Sequence, residues 1–415
     1  MVEVPVQDYD VVIVGAGMVG ASFALALLHD NPTPPRVLLV EASELRGAAS
    51  PAQPGFDMRS TVLSASSVAY FVTLRLWPAL ATAAEPIRQI HVSDQGHLGS
   101  VRMRAEDEGV EALGHVVENA VLGQALNAAL LSQPALTLRA PAQVLQLHPQ
   151  PGGMGITLRQ DGRDTQLSSA LVVLAEGGRS GLCAQLGIGH REASYEQSAV
   201  IANVAFTRPH QGTAWERFTA KGPLALLPLG NHGGQPRAAL VWTHPAGDSE
   251  HMLSLPDTAF LQQLQRDFGH RAGRFTRVGK RFSYPLALQV ADEQIRPGLV
   301  LLGNVAHALH PVAGQGFNLA LRDALALAGN VRASLAQGFS PGSYARLNAY
   351  RAAVSDDQSL TIAFSDYMTR LFSSTSPTLA LLRKAGMASI DLVPPLRRRF
   401  SRQAMGFGPP RVDLR

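Results

Sequence analysis

Four short runs of apolar residues stand out along the chain: Val11-Val12-Ile13-Val14 after Asp10, Val37-Leu38-Leu39-Val40 after Arg36, Leu171-Val172-Val173-Leu174, and Leu299-Val300-Leu301-Leu302. None alternates with polar residues. A strand with one wet face would alternate, so these runs predict central parallel strands covered on both faces. Residues 196–245 read differently. Apolar stretches at 199–206, 224–229 and 238–243 are separated by turn-rich segments such as Gly230-Asn231-His232-Gly233-Gly234, the pattern of an antiparallel sheet. Further strand-like runs lie at 87–92, 137–147 and 155–158. Helical patterns lie at 61–74, 121–131 and 256–268, and from 318 onward with breaks near 338–342 and 373–377. No internal repeat or low-complexity block is present.

These elements predict an α/β protein in which a Rossmann-like half is revisited by the chain and an antiparallel-sheet domain is inserted into it. The expected division assigns 1–76, 111–182 and 284–340 to the nucleotide-binding half. It assigns 77–110 and 183–283 to the inserted domain and 341–415 to a C-terminal helical segment.

The first run carries the clearest chemistry. It is followed by Gly15-Ala16-Gly17-Met18-Val19-Gly20, an Ala/Leu-rich helix to about His29, a break at Asn31-Pro32-Thr33-Pro34-Pro35, the second run, and then Glu41. In such a unit the first glycine allows a tight turn. The second lets the backbone approach a pyrophosphate, and the third lets helix and strand pack closely. The helix N-terminus offers free N–H groups and a positive dipole end to the phosphates. An acid at the tip of the second strand can accept both hydroxyls of an adenosine ribose, which favours FAD or NAD over NADP. Residues 11–28 are eighteen residues without a charge, near the length of a membrane span. The glycines at fixed offsets and the acidic, base-free start (MVEVPVQDYD) argue instead for strand, loop and helix.

Composition narrows the function classes. The chain has 415 residues, 46% hydrophobic and 16% charged, which allows a large core and excludes wholesale disorder. A net charge of +4 with only 6% aromatic residues does not suggest nucleic-acid binding. The single cysteine, Cys183, excludes disulfides within the chain, multi-cysteine zinc sites and iron–sulfur clusters held by this chain alone. A reducing compartment such as the cytoplasm is the simplest reading, with Cys183 as a small buried apolar residue.

Two later segments follow the third and fourth runs. One is Ala175-Glu176-Gly177-Gly178-Arg179-Ser180. The other runs Gly303-Asn304-Val305-Ala306-His307-Ala308-Leu309-His310-Pro311-Val312-Ala313-Gly314-Gln315-Gly316-Phe317-Asn318. Pro, then Gly-Gln-Gly, then a long helix makes a second helix N-terminus, whose dipole suits a group that becomes negative, such as the N1/O2 edge of a reduced flavin. With Phe56-Asp57-Met58-Arg59-Ser60 and Gly123-Gln124-Ala125-Leu126, these motifs make the chain resemble the FAD-dependent aromatic hydroxylases of the p-hydroxybenzoate hydroxylase type. Within them it most resembles the ubiquinone-biosynthesis branch. The likeness covers nearly the whole chain. The run Leu-His-Pro-Val-Ala-Gly-Gln-Gly-Phe-Asn-Leu with Arg322-Asp323 after it is its most specific part.

The resemblance implies a p-hydroxybenzoate hydroxylase-like fold and FAD as cofactor. It places Gly15, Gly17 and Gly20 at the pyrophosphate, Glu41 at the adenosine ribose, and Arg59 and Gln124 along FAD. Gly303 and Asn304 fall at the ribityl chain. Pro311, Gly314, Gln315 and Gly316 fall at the isoalloxazine, with Phe317 and Asn318 opening the helix behind it. It also implies NAD(P)H as a transient co-substrate, O2, and a C4a-hydroperoxyflavin that hydroxylates a polyprenylated phenol. Other enzymes of ubiquinone synthesis and the inner-membrane surface are the implied partners. Three positions depart from the family pattern. Its Asp-Gly is Glu176-Gly177, the Arg that closes that motif is Cys183, and its Gly-Asp is Gly303-Asn304. No general base for the phenol is evident. His307 and His310 have metal-ligand spacing but lie inside the flavin motif with no further ligands nearby.

Residues 379–402 carry six bases (Arg383, Lys384, Arg397, Arg398, Arg399, Arg402) against one acid, Asp391, among apolar residues. Such a stretch can lie on an anionic membrane or pack on the core with a solvated basic face. Two other functional readings stay open on sequence. One is a different flavoenzyme on the same scaffold, such as a soluble-phenol hydroxylase or prenyl reductase. The other is a non-catalytic subunit of a quinone-biosynthesis assembly.

Overall fold

The computed structural model describes residues 8–45, 59–96, 100–309 and 314–373. The four apolar runs lie side by side in one sheet. Its order is Ile295–Arg296, Leu299–Leu301, Arg163–Leu174, Tyr9–Val14, Val37–Val40, Leu136–Arg139. The last five strands are parallel, with Val12 opposite both Val172 and Leu38. A hairpin of Gln143–Gln150 and Gly153–Gln160 extends the sheet antiparallel from Arg163–Leu174.

The unbroken apolar runs follow from what covers each face. Val11, Ile13, Val37, Leu39, Leu171 and Val173 point to a core shared with the helices Met18–Leu28, Asn119–Leu131 and Gln315–Ala336. Val12, Val14, Leu38, Val40, Val172 and Leu174 point to a second core, closed by the hairpin's Leu147, Ile156 and Leu158. Alternate residues thus enter different cores, and neither set can be polar. The helix Met18–Leu28 is buried from Gly20 through Leu28, which accounts for its lack of charge. No described helix is long and apolar enough to cross a membrane.

The second sheet has nine strands and is antiparallel except where Thr213–Thr219 pairs parallel with Gln89–Asp94. Its path runs His307–Ala308, Phe282–Ala291, His190–Phe206, Gln235–Pro245, Gly222–His232, Thr213–Thr219, Gln89–Asp94, Ser100–Arg104, with Phe275–Val278 paired to the long strand His190–Phe206. The helices Ser249–Ser254 and Asp257–Phe268 cover one face, where Phe260, Leu264 and Phe268 pack with Val200, Leu224, Leu240 and Trp242. The other face turns toward the parallel half. A three-stranded sheet of Ser60–Ser64, Gly114–Glu118 and Glu85–Ile87 stands between them. There the Glu118 carboxylate receives the Arg237 guanidinium at 3.0 and 3.4 Å.

Four expectations are corrected. Residues 61–74 are not one helix: Ser60–Ser64 is a strand paired with Gly114–Glu118, and the helix is Ala65–Thr73. Thr61-Val62-Leu63 takes the extended form that suits its branched side chains, and Ser64 caps the helix by accepting the Ser67 N–H. The run at 87–92 divides at Arg88, whose N–H donates to the Gly212 carbonyl, so that Ile87 and Gln89 enter different sheets. The run at 137–147 divides at the cis Ala140–Pro141 bond into Leu136–Arg139 and Gln143–Gln150. The expected boundary at 283/284 cuts the strand Phe282–Ala291, which pairs with His190–Phe206 in the antiparallel sheet. Beyond the turn at Gly338 a thirty-residue helix, Tyr344–Ser373, packs on Gln315–Ala336. The break expected near 373–377 and the basic segment 379–402 lie outside the described residues.

Phe23, on the first helix, is fully buried in the core that helix shares with the parallel strands. Truncation to Ala should cost about 3–5 kcal/mol, read as a lower denaturant midpoint. An unchanged midpoint would mean that this core does not hold the parallel half together.

Candidate functional site

The glycine loop sits where three parallel strands end. The Gly15 N–H donates to the Val40 carbonyl, the Ala175 N–H donates to Val14, and the Leu302 N–H donates to Leu174. The three motifs that follow those strands are thereby brought to one edge of the sheet, the place where ligands bind in open α/β folds. Gly15 has φ +101°, and a Cβ there would lie 2.8 Å from the Glu176 Cα. Only glycine fits between the two motifs. At Gly20 a Cβ would lie 2.0 Å from the Gly15 carbonyl oxygen, so any side chain would push the helix off its loop. Gly17 behaves differently. A Cβ there meets nothing within 4 Å, and the helix beginning at Met18 has neither a side-chain cap nor an acid in its first turn. An open approach to uncapped N–H groups is what a pyrophosphate requires.

Glu41 closes this loop. Its carboxylate accepts the Ala16 N–H at 2.7 Å and the Ser43 N–H at 2.9 Å. The acid at the second strand's tip therefore fixes the loop's shape, with two N–H donors already on its oxygens.

Gly303 lies against Val19 of the first helix, and Asn304 is exposed on the turn Gly303–Val305. Gly314 takes the left-handed conformation (φ +60°) and begins the 22-residue helix Gln315–Ala336, again with no side-chain cap. Gln315 is buried, Gly316 is half-buried, and Phe317 packs against the core. Asn318 has another task. Its amide donates to the carbonyls of Val62 and Gly314, each at 2.8 Å, and its oxygen accepts from the Ser64 N–H at 2.9 Å and the Ser67 hydroxyl at 2.7 Å. These four bonds staple the Gly314 turn to the strand Ser60–Ser64, so Asn318 shapes the site through protein contacts. Arg59 stacks over Tyr284 at 4.9 Å, joining the parallel half to the antiparallel sheet. Gln124 is exposed on the helix Asn119–Leu131, which packs on the first helix. Phe56, Asp57, Met58, His310 and Pro311 lie outside the described residues.

Glu176 caps its own turn, accepting the Arg179 N–H at 2.5 Å and the Ser180 N–H at 3.0 Å, while Gly177 and Gly178 are both left-handed. The longer acid thus does here a loop-forming job. Cys183 is buried in the second core, and burial with Glu176 nearby pushes its thiol up to about 11. His307 is likewise committed. Its Nε2 lies 2.8 Å from Asp323, whose same oxygen accepts the Gln358 amide at 2.9 Å. This buried cluster ties the segment before the Gly314 turn to both long helices. No group of three metal-ligating side chains is present among the described residues. Asp323 stood in the sequence only as part of the Arg322-Asp323 pair, and Gln358, Ser64 and Ser67 were not singled out, because they act by burial and long-range pairing that no local spacing reveals.

Two uncapped helix ends, two glycine turns and an open approach over Gly17 fit a dinucleotide carrying a flavin. Gly15–Gly20 would hold its pyrophosphate, and the helix beginning at Gln315 would face the flavin ring. A family model described as an FAD binding domain matches residues 8–356. The chain is 37% identical to the ubiquinone hydroxylase UbiL of Rhodospirillum rubrum over 398 residues, 96% of this chain and 89% of that relative. It is 30% identical to the 3-demethoxyubiquinol 3-hydroxylase of Escherichia coli over 402 residues, 97% and 99% of the two chains. Among solved structures, the p-nitrophenol 4-monooxygenase PnpA of Pseudomonas putida superposes with a TM-score of 0.77 at 17% identity, covering 97% of this chain and 98% of that one, and shows the shared fold. The fold and the family match are those of FAD-dependent monooxygenases. This chain belongs to that FAD-binding family, in its ubiquinone-biosynthesis hydroxylase branch.

Gly20→Ala should yield protein that elutes without flavin, since the added methyl collides with the Gly15 carbonyl; a variant that keeps a full flavin complement would refute that packing. Cys183 should resist alkylation by iodoacetamide at neutral pH in the native protein, react as pH rises toward 11, and react at once on unfolding. Fast native labelling at pH 7 would contradict the buried neutral thiol.

Proposed function

We propose that the protein hydroxylates the ring of a polyprenylated phenol on the way to ubiquinone, using NAD(P)H and O2. In this reading the parallel half holds FAD and the antiparallel half holds the substrate. When bound, FAD supplies the redox chemistry that activates O2. The chain's own residues hold it, orient the ring and keep water out.

The observation that carries this reading is the inner face of the antiparallel sheet. Burial alternates along its strands. Val200, Ala202 and Val204 are buried under the helices, while Ile201 and Asn203 between them are half-buried. The same holds for Ala225 and Leu227, and for Val241. Register places Ile201, Val241 and Ala225 in one row across neighbouring strands, with Phe282 at its end. In this reading that half-buried apolar row lines the substrate cleft. It faces the half that carries Arg59 and the Gly314 turn, where Val62 meets Gly314. Such walls suit an uncharged aromatic ring with a prenyl tail. Glu176-Gly177 is where the reductant would approach. The basic, apolar segment 379–402 supports work at an anionic membrane surface, where such a substrate resides.

The test is quinone-lipid profiling of a strain lacking the protein. A prenylated ring short of one hydroxyl should accumulate, and the wild-type gene should clear it. An unchanged quinone pool, in a strain with no redundant hydroxylase, would refute the reading. The full chain should also sediment with vesicles containing phosphatidylglycerol, and lose that binding when Arg397, Arg398 and Arg399 are changed to Ser. Equal sedimentation of the triple variant would remove the membrane role of this segment.

A further inference from the structure

The apolar row just described contains one carboxylate. Glu216 lies on the strand Thr213–Thr219, directly opposite Ala225 on one side and Val92 on the other. Ala225 is opposite Val241, and Val241 is opposite Ile201, so Glu216 stands on the inner face, in line with the wall of the cleft. Its strand neighbours Trp215 and Arg217 point the other way. Trp215 packs with the helix-covered core, and the Arg217 side chain donates to the Asp267 carbonyl on the helix Asp257–Phe268. Ala214, on the same face as Glu216, packs with Ile87, Val116 and Ala239 in the core between the two halves.

Glu216 is not a surface residue. Protein surrounds it, and burial pushes its carboxyl up to about 7, yet the side chain is still partly reached by solvent. On the reading above, a half-buried carboxyl in this row borders the substrate cleft. Among the described residues it has neither an ion-pair nor a hydrogen-bond partner. An unpaired acid in an apolar wall costs stability. Such a group, set in a cleft with its affinity for protons raised, marks a functional position. The small, half-buried side chain of Ala225 lies directly opposite it.

We propose, on the reading that this cleft takes a phenol, that Glu216 is the catalytic residue that accepts the hydrogen bond of the phenolic hydroxyl and takes its proton. The O–H bond breaks, the proton passes to a carboxylate oxygen, and the electron pair stays on the substrate oxygen. That pair enriches the ring carbons ortho and para to it, which are the carbons an electrophilic oxygen attacks. The neutral carboxyl returns its proton to water as product leaves. A carboxyl shifted upward is better matched to a phenol, whose ordinary value is about 10, than an exposed glutamate would be.

The experiment uses the flavin-loaded full chain with 2-(3-methylbut-2-enyl)phenol and its O-methyl ether. E216Q keeps size and polarity but loses the base. It should retain bound FAD, while phenol-dependent NAD(P)H oxidation and ring hydroxylation fall at least tenfold in kcat. The wild type should ignore the ether. A kcat within twofold of wild type in E216Q would overturn the assignment, as would a wild type that oxidises NAD(P)H equally fast with ether and phenol. The ether comparison can overturn the assignment even if E216Q folds poorly, because it uses the native protein. A wild type that responds to neither probe, nor to quinone precursors extracted from the deletion strain, would instead overturn the phenol-hydroxylase reading, and the role of Glu216 with it.

Discussion

The close backbone approach at Gly15 and Gly20 is the constraint on which the rest of the structure depends. Gly15 fits between the end of its own strand and the Ala175-Glu176 backbone, and Gly20 fits against the Gly15 carbonyl. Neither contact survives a Cβ. Together they aim the N-terminus of the helix Met18–Leu28 past an open Gly17, and they set the distance between that helix and the turn at Glu176. The strand ends register the remaining motifs to the same edge through the hydrogen bonds at Val14, Val40 and Leu174. A site assembled from segments hundreds of residues apart is thus held by main-chain contacts in one sheet.

Around that edge, side chains serve mainly to hold loops in place. Glu41 fixes the first glycine loop, Glu176 caps the second turn, Asn318 staples the third, and His307 with Asp323 and Gln358 anchors the segment leading into it. Each fixes the shape of its segment through hydrogen bonds within the protein. That role explains why the departures from the family pattern at Glu176 and Cys183 are compatible with the fold. Glu176 still forms the turn with its longer arm, and Cys183 packs as an apolar residue.

Much of this was legible in the sequence where local rules suffice. The parallel strands were readable because both of their faces are covered, and the glycine loop because its spacing follows from turn and helix geometry. Two kinds of feature were not. Thr61-Val62-Leu63 looked helical in a window that continues into Ala65–Thr73, and only its pairing with Gly114–Glu118 makes it a strand. Glu216 sits in an ordinary-looking segment, Thr213 to Thr219, and nothing near it in sequence shows which face it occupies. Its meaning appears only when four strands are placed in register. Asn318 was picked out with the right turn, but its bonds to Val62, Ser64 and Ser67 cross some 250 positions of chain, a distance no spacing rule spans.

The most direct measurement of the central claim is the identity and amount of flavin released from the purified full-length chain by heat or acid. The account predicts FAD, in an amount equal to the protein, because both the pyrophosphate loop and the second helix end are built for it. FMN alone, or an apoprotein that fails to take up FAD on reconstitution, would contradict it.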